Sequence, residues 1–255
     1  MPIRRTLCAA LMALALVATA RGQQTQTPVP ALPPLDMSGP DVERLKAYHE
    51  RIVEAVPKLP ARPSVADLLK PVLLLAEQRS VTGLAAVENR AAILAVAFYV
   101  NGRSLALVVP QARDWPRAAN RGLTMAGRGD LAQHFTVSAA VSAAAGAALA
   151  DFIGLYKEID DARRGSGFSF ADLAADRAGT RLGLLATASE ESARRLQARL
   201  RAGAVEGDMM PDISGLPEGI PQHEFARRYQ GEQTAAYDEL VQTIERRLSA
   251  LALFQ

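Results

Sequence analysis

The residues whose types and spacing could support chemistry lie between Asp130 and Gly183. This stretch contains His134, one of three histidines in the chain, and several carboxylates at helical spacing. An imidazole beside carboxylates can transfer protons or bind a metal ion, and it can equally tie helices together inside a protein. Standard motifs of hydrolases and zinc proteases, such as G-x-S-x-G and H-E-x-x-H, are absent from the sequence. The function therefore has to be argued from this one stretch.

The second half of the stretch has the pattern of a helix with one unusual face. The motif S-F-A-D forms a capping box, with Ser169 as N-cap and Asp172 at N3. That role is sufficient to explain Asp172, and a ligand or catalytic role is the alternative. At positions i, i+4, i+7 and i+11, one face of the helix carries Asp172, Asp176, Gly179 and Gly183. Glycines on this face predict that another backbone comes close.

A carboxylate on such a face needs a partner. Burying an isolated charge is costly, so Asp176 must be paired, protonated or bound to a metal ion. The simplest interpretation is a buried salt bridge, for which Lys157 or Arg177 could supply the cation. In that case the polar residues are architectural, and no cofactor is expected.

The second interpretation is a site for a divalent metal ion, made of carboxylate oxygens with one imidazole. Its candidate ligands are Glu158, Asp161, Asp172 and Asp176. In such a site His134 would act as the catalytic acid or base, and Arg163 and Arg164 would bind a phosphate at the start of the following helix. This arrangement would suit a hydrolase or transferase.

His134 can join these residues only if the chain turns back. In one straight helix, His134 and Glu158 would be 24 residues or about 36 Å apart. A turn at Gly146 would make two short antiparallel helices and bring Glu158 level with His134. Local propensity favours one helix over residues 131–161, because a single glycine costs only about 1 kcal/mol.

The order of residues in this stretch resembles that of a known group of proteins. It reads D-x-x-x-H-F, a small-residue helix, K-E-x-x-D and then S-x-x-D-L-x-x-D-x-x-G-x-x-x-G. This pattern resembles small periplasmic lipoproteins of unknown function from Gram-negative bacteria and, more distantly, VanZ-like membrane proteins. The resemblance covers Asp130 to Gly183, about a fifth of the chain. It implies a helical hairpin that turns near Gly146, and a periplasmic location.

This chain departs from the pattern of those families at several points. Leu131 stands where a Lys often follows the first Asp, and Asp176 stands where VanZ-like proteins have Asn. The arms of the implied hairpin are also shorter. The resemblance therefore implies a geometry and a compartment, and it implies no particular reaction.

The elements that must position these residues are predicted to be helices. Alanine is abundant, aromatic residues make up 5% of the chain, and alternating β-branched residues are scarce. We expect an all-α protein: a compact helical domain with a hairpin-like central motif and an extended helical C-terminal tail. A second capping box, from Ser64 to Asp67, marks one helix start. Other helices are predicted over residues 41–56, 64–75, 88–100, 103–109, 188–202, 222–229 and 232–251; for residues 103–109 a short strand is the alternative.

The N-terminal segment has the features of a signal peptide. Arg4 and Arg5 precede an apolar stretch that is too short to span a bilayer, and Ala18-Thr19-Ala20 forms an A-x-A cleavage site. Cleavage near Ala20 would release a periplasmic or secreted protein without its single cysteine. The predicted organisation is a signal peptide (1–20), a flexible Pro/Gln-rich leader (21–36), a helical domain (37–202) and a loop with C-terminal helices packed on that domain (203–255).

The balance of charge limits the kinds of partner. Without Arg4 and Arg5, the 29 basic residues become 27, equal to the 27 acidic residues. Phosphate binding in nucleic-acid complexes needs a clustered excess of Lys and Arg, and the sequence contains no such run. We therefore expect no nucleic-acid partner. Residues 135–156 are rich in Ala, Ser and Gly, which predicts a buried helix or hairpin and is compatible with peripheral contact with a membrane.

Two functions remain open, and the first is preferred. The protein is either an envelope protein with a binding or structural role and an architectural polar motif, or a metal-dependent hydrolase or transferase that acts on an envelope lipid or polymer. Carboxylate clusters are often only structural, which is why we prefer the first.

Overall fold

Helices account for the regular structure in the residues that the computed structural model describes, which are 39–144, 167–230 and 234–255. This part of the chain is all-α, as predicted, and contains no strand. Its helices are α1 (Pro40–Ala55), α2 (Val65–Arg79), α3 (Ala85–Val100), α4 (Gly129–Ala143), α5 (Phe170–Thr187), α6 (Glu190–Arg201), α7 (Gln222–Tyr229) and α8 (Ala235–Ser249). The predicted signal peptide and leader, residues 1–36, lie outside the described residues.

Side-chain caps explain where several of these helices begin. The predicted capping box before α2 is present: the Asp67 N–H donates to Ser64 Oγ at 3.3 Å, and the Ser64 N–H donates to Asp67 Oδ2 at 2.7 Å. The predicted N-cap of α5 is also present, since the Asp172 N–H donates to Ser169 Oγ at 3.1 Å. These helix starts are determined by residues no more than three positions apart.

The helix predicted over residues 103–109 is wrong. This segment forms only a short 3₁₀ turn at Leu105–Leu107, and a second one follows at Pro110–Asp114. Val109 is extended, with φ −126° and ψ 94°. Proline disfavours the helical conformation in the residue before it, so Pro110 prevents a helix from passing through Val109.

The continuous helix that propensity favoured over residues 131–161 is also wrong. α4 ends at Ala143, and Ala144 adopts an extended conformation with φ −76° and ψ 147°. Alanine is the best helix former, so local propensity does not account for this helix end. The proposed turn at Gly146 lies outside the described residues.

α3 is the central helix of the described structure. It contacts α1, α2, α4, α5 and α6, and every residue from Ala91 to Phe98 is buried. A helix that is apolar on all sides must be surrounded by other elements, and α3 follows that rule. Within residues 39–144, 167–230 and 234–255, every helix is too short or too polar to cross a membrane.

Aromatic side chains attach the C-terminal helices to the start of α5. These rings contact one another with centroid separations of 4.2–6.3 Å and belong to Phe168, Phe170, Phe225, Tyr229 and Tyr237. Arg177 and Arg181 of α5 both donate to the carboxylate of Glu245 on α8. Packing and charge together hold α7 and α8 beside α5.

α4 and α5 form the most extensive helix pair and run in the same direction. Gly179 faces Phe135, and one turn further along both helices Gly183 faces Ala139. A Cβ atom at either glycine would overlap a backbone carbonyl oxygen of α4. The predicted close approach of a second backbone is therefore present, and the second backbone is that of α4.

Replacement of Gly179 by Ala should destabilise the protein. The added methyl group would overlap the Phe135 carbonyl and push the two backbones apart. We expect a net loss of about 1–3 kcal/mol in the free energy of unfolding, even though Ala favours a helix over Gly by about 1 kcal/mol. Urea denaturation of both proteins measures the difference.

Gly207→Ala is the matched control. A Cβ atom at Gly207 has no neighbour within 4 Å among the described residues, so this change should leave the urea midpoint nearly unchanged. Equal stability of Gly179→Ala and wild type would show that α4 and α5 can separate without cost.

Candidate functional site

His134 lies between two carboxylates of the neighbouring helix. Its Nδ1 is 3.1 Å from Asp176 Oδ1, and its Nε2 is 3.5 Å from Asp172 Oδ2. Ser138, one turn after His134 on α4, donates its hydroxyl to the same Asp176 oxygen at 2.7 Å. We call these four residues the His134 cluster. The parallel pairing of α4 and α5 produces it, because Asp172 and Asp176 are one turn apart on the face that carries Gly179.

The cluster is largely shielded from solvent at its centre and more open at one edge. The side chains of His134 and Asp176 are each 12% exposed, and that of Asp172 is 23% exposed. An ionised carboxylate can only accept hydrogen bonds, so opposite an ionised Asp176 the proton of this contact lies on Nδ1 of His134. Asp176 thereby fixes the orientation of the imidazole ring.

Arg128 closes the open edge of the cluster. It precedes α4 and binds Asp130 with two nitrogens, at 3.1 and 2.5 Å. It also donates to Glu218, and its guanidinium lies 3.6 Å from Asp172 Oδ1. The arginine thus connects the N-terminal ends of α4 and α5 to the loop that contains Glu218.

Asp172 and Asp130 both lie near Arg128, and their pKa values are shifted in opposite directions. Burial raises the pKa of Asp172 above 3.8; the charges of Asp130 and Asp176 add to this, and those of His134 and Arg128 oppose it. The hydrogen bond from Arg128 lowers the pKa of Asp130 below 3.8. Ionisation of Asp172 therefore opposes folding, whereas ionisation of Asp130 favours it.

The geometry of the cluster is that of a tie between helices. In a Ser-His-Asp triad the hydroxyl bonds to the imidazole, and the imidazole to the carboxylate. Here the Ser138 hydroxyl and the His134 imidazole both donate to Asp176, and the second ring nitrogen faces Asp172. The polar atoms are directed at one another across the helix contact.

The structure corrects the sequence interpretation of Asp172. Ser169 caps α5 as predicted, but only half of the predicted capping box forms. The carboxylate of Asp172 faces His134 and Arg128 instead. These two groups lie 3.5 and 3.6 Å from its oxygens, so they act on the carboxylate through charge.

Of the two predicted partners of Asp176, Arg177 lies elsewhere, and Lys157 lies outside the described residues. Arg177 pairs with Glu245, and its neighbour Asp176 is bound by His134 and Ser138. The other predicted site residues lie outside the described residues; they are Lys157, Glu158, Asp161, Arg163 and Arg164. In the part of the chain that the structure describes, no three His, Cys, Asp or Glu side chains are grouped to hold a metal ion.

A second buried polar cluster was missed by the sequence analysis. Glu88, in the first turn of α3, has only 4% of its side chain exposed. It accepts hydrogen bonds from Tyr48 at 2.5 Å, Arg44 at 3.0 Å and Arg79 at 3.0 Å. Burial and the nearby Glu88 raise the pKa of Tyr48, so its hydroxyl remains a donor.

The neighbouring Asn89 connects α3 to two other helices. Its amide donates to the carbonyls of Ala186 and Ala193, both at 3.1 Å, and its oxygen accepts from Gln197 at 2.8 Å. The sequence does contain a signal for this region: three consecutive polar residues, E-N-R at 88–90, begin an otherwise apolar helix. Polar residues inside an apolar helix are expected to have buried partners.

Comparison of the chain with protein-family models, curated proteins and solved structures finds no match. The arguments for function therefore come from the geometry and from the sequence itself.

Two neutral substitutions should separate the roles of the two aspartates. We expect Asp176→Asn to reduce the free energy of unfolding by about 1.5–3 kcal/mol, since two donors lose a charged acceptor. Asp172→Asn should cost much less at neutral pH, because burial already opposes its ionisation. Urea denaturation at pH 7 compares them, and an equal loss for both would contradict the assignment of Asp176 as the central acceptor.

The stability of variants at Asp172 and Asp130 should depend on pH in opposite directions. Because the pKa of Asp172 is raised, the folded protein retains this proton above 3.8, and stability falls as pH rises through that window. Asp172→Asn should therefore gain stability relative to wild type as pH increases above 3.8. Asp130→Asn is the control. Because the pKa of Asp130 is lowered in the folded wild type, the loss of stability that this variant shows at neutral pH should disappear as pH falls below 3.8.

Proposed function

We propose that this chain is a structural or binding protein of the cell envelope, whose His134 cluster holds α4 and α5 in register. In this proposal the cluster stabilises a rigid helix pair and does not react with a substrate. The protein would act after export, as a periplasmic or secreted protein.

One observation carries the architectural role. Both ring nitrogens of His134 face carboxylates of α5, and Ser138 binds one of the same carboxylates.

The envelope location is supported by the N-terminal sequence. The charged residues Arg4 and Arg5, the short apolar stretch and the A-x-A motif ending at Ala20 are typical of an exported chain. The resemblance of residues 130–183 to periplasmic lipoproteins supports the same compartment. The exported chain would lose its single cysteine, Cys8, and would depend on packing and buried polar ties for stability.

Export predicts cleavage after Ala20. When the full chain is expressed in a Gram-negative host, we expect the periplasmic fraction to contain a protein that begins at Arg21, as read by intact-mass spectrometry. Ala20→Arg should block processing, because the cleavage site requires small residues. Thr19→Val changes the variable position and should be processed normally; an intact wild-type chain in the cytoplasm would contradict the proposal.

The architectural role predicts that thermal stability is independent of metal ions. The melting temperature of the mature protein should be the same in EDTA, Mg²⁺ and Zn²⁺, since Ser138 and His134 already contact the Asp176 carboxylate that a metal ion would need. A metal-dependent rise that Asp176→Asn abolishes would instead favour the metal-dependent hydrolase or transferase. Ser142→Ala, a change outside the cluster on the same helix, is the control for general effects on α4.

A further inference from the structure

We propose that a basic face built from two distant segments binds the anionic phosphate surface of a lipid membrane. The segments are residues 56–62 and 101–122, which contain six basic residues and a single acidic one, Asp114. Five of these basic residues make up the face: Lys58, Arg62, Arg113, Arg117 and Arg121. The inference rests on the envelope location proposed above.

Specific hydrogen bonds bring the two segments together. Arg121 donates to the carbonyls of Leu59 at 3.0 Å and Pro60 at 2.6 Å. From α1, His49 donates to the Pro116 carbonyl at 2.6 Å and its ring contacts that of Trp115. The loop that follows α3 is therefore fixed against the segment that follows α1.

The positive charge of this face is not neutralised by nearby carboxylates. Arg121 uses its guanidinium on backbone carbonyls, which are neutral. No carboxylate of residues 39–144, 167–230 or 234–255 lies within 4 Å of Lys58, Arg62, Arg113 or Arg117, and all four are exposed.

The acidic residues near the face do not cancel this charge. Asp67 lines the same groove as Lys58 and keeps its charge, because its partner Ser64 is neutral. Asp114 is exposed and is outnumbered by the basic residues of its own segment. Five basic residues against these two acidic ones leave a local net charge of +3 in a mature chain with equal numbers of basic and acidic residues, and this asymmetry attracts anionic surfaces.

An apolar residue beside these cations favours a membrane over a nucleic acid. Leu107 is 69% exposed, and its 3₁₀ turn packs on the turn that contains Arg113. Basic residues around an exposed leucine are typical of segments that lie in the membrane interface. Base stacking would need an exposed aromatic ring, whereas Trp115 is half-buried and contacts His49.

The test measures binding of the purified mature protein to vesicles. It should co-sediment with vesicles that contain phosphatidylglycerol, more weakly at high salt, and not with vesicles of phosphatidylcholine alone. The double variant Arg113→Gln/Arg117→Gln should bind roughly thirtyfold more weakly, since each cation near an anionic surface contributes about 1 kcal/mol. Leu107→Ser should also weaken binding, and thermal melts verify that each variant is folded.

The matched control removes the same charge elsewhere. Arg227→Gln/Arg246→Gln alters two exposed arginines of α7 and α8 and should leave vesicle binding almost unchanged. Equal losses in the two double variants would overturn the proposal, because binding would then follow net charge. A single-stranded oligonucleotide that binds more tightly than vesicles, with no effect of Leu107→Ser, would assign the face to nucleic acid instead. Failure to bind anionic vesicles refutes this proposal but leaves the cleavage result, and hence the envelope location, unaffected.

Discussion

The close contact between α4 and α5 is the constraint on which the rest of the site depends. Gly179 and Gly183 lack the Cβ atoms that would strike the backbone of α4, so the two helices approach more closely than larger residues allow. At this separation the short side chains of Asp172 and Asp176 can reach His134. Each glycine lowers the intrinsic stability of α5, and the contact it permits compensates through packing and buried hydrogen bonds.

Several buried polar groups of this protein bond across helix interfaces. Asp176 joins α5 to α4, Glu88 joins α3 to α1 and α2, and Asn89 joins α3 to α5 and α6. Because an unpaired buried group is costly, each of these ties disfavours alternative packings in which its partner is absent. They are well suited to a protein whose core contains many alanines, because such small side chains specify few unique contacts.

The arginines perform two different tasks. Those that connect helices, such as Arg128 and Arg181, bind carboxylates and have their charge neutralised. Arg121 instead binds backbone carbonyls, and within the described structure no carboxylate lies within 4 Å of Arg113 or Arg117, so positive charge remains there. Arginine therefore has two roles in this protein: it stabilises helix packing, and it concentrates positive charge on the face that is proposed to bind a membrane.

The sequence by itself determined the helical class, the starts of α2 and α5 and the presence of a close backbone contact at Gly179. These features depend on propensity, caps and periodicity, which act within a few residues. Only the tertiary structure decided that α4 supplies the second backbone, that Asp172 turns to His134, and that segments 56–62 and 101–122 form one basic face. It also placed two arginines around Glu88. These outcomes depend on which helices pack together, and that choice is made by burial over the whole chain.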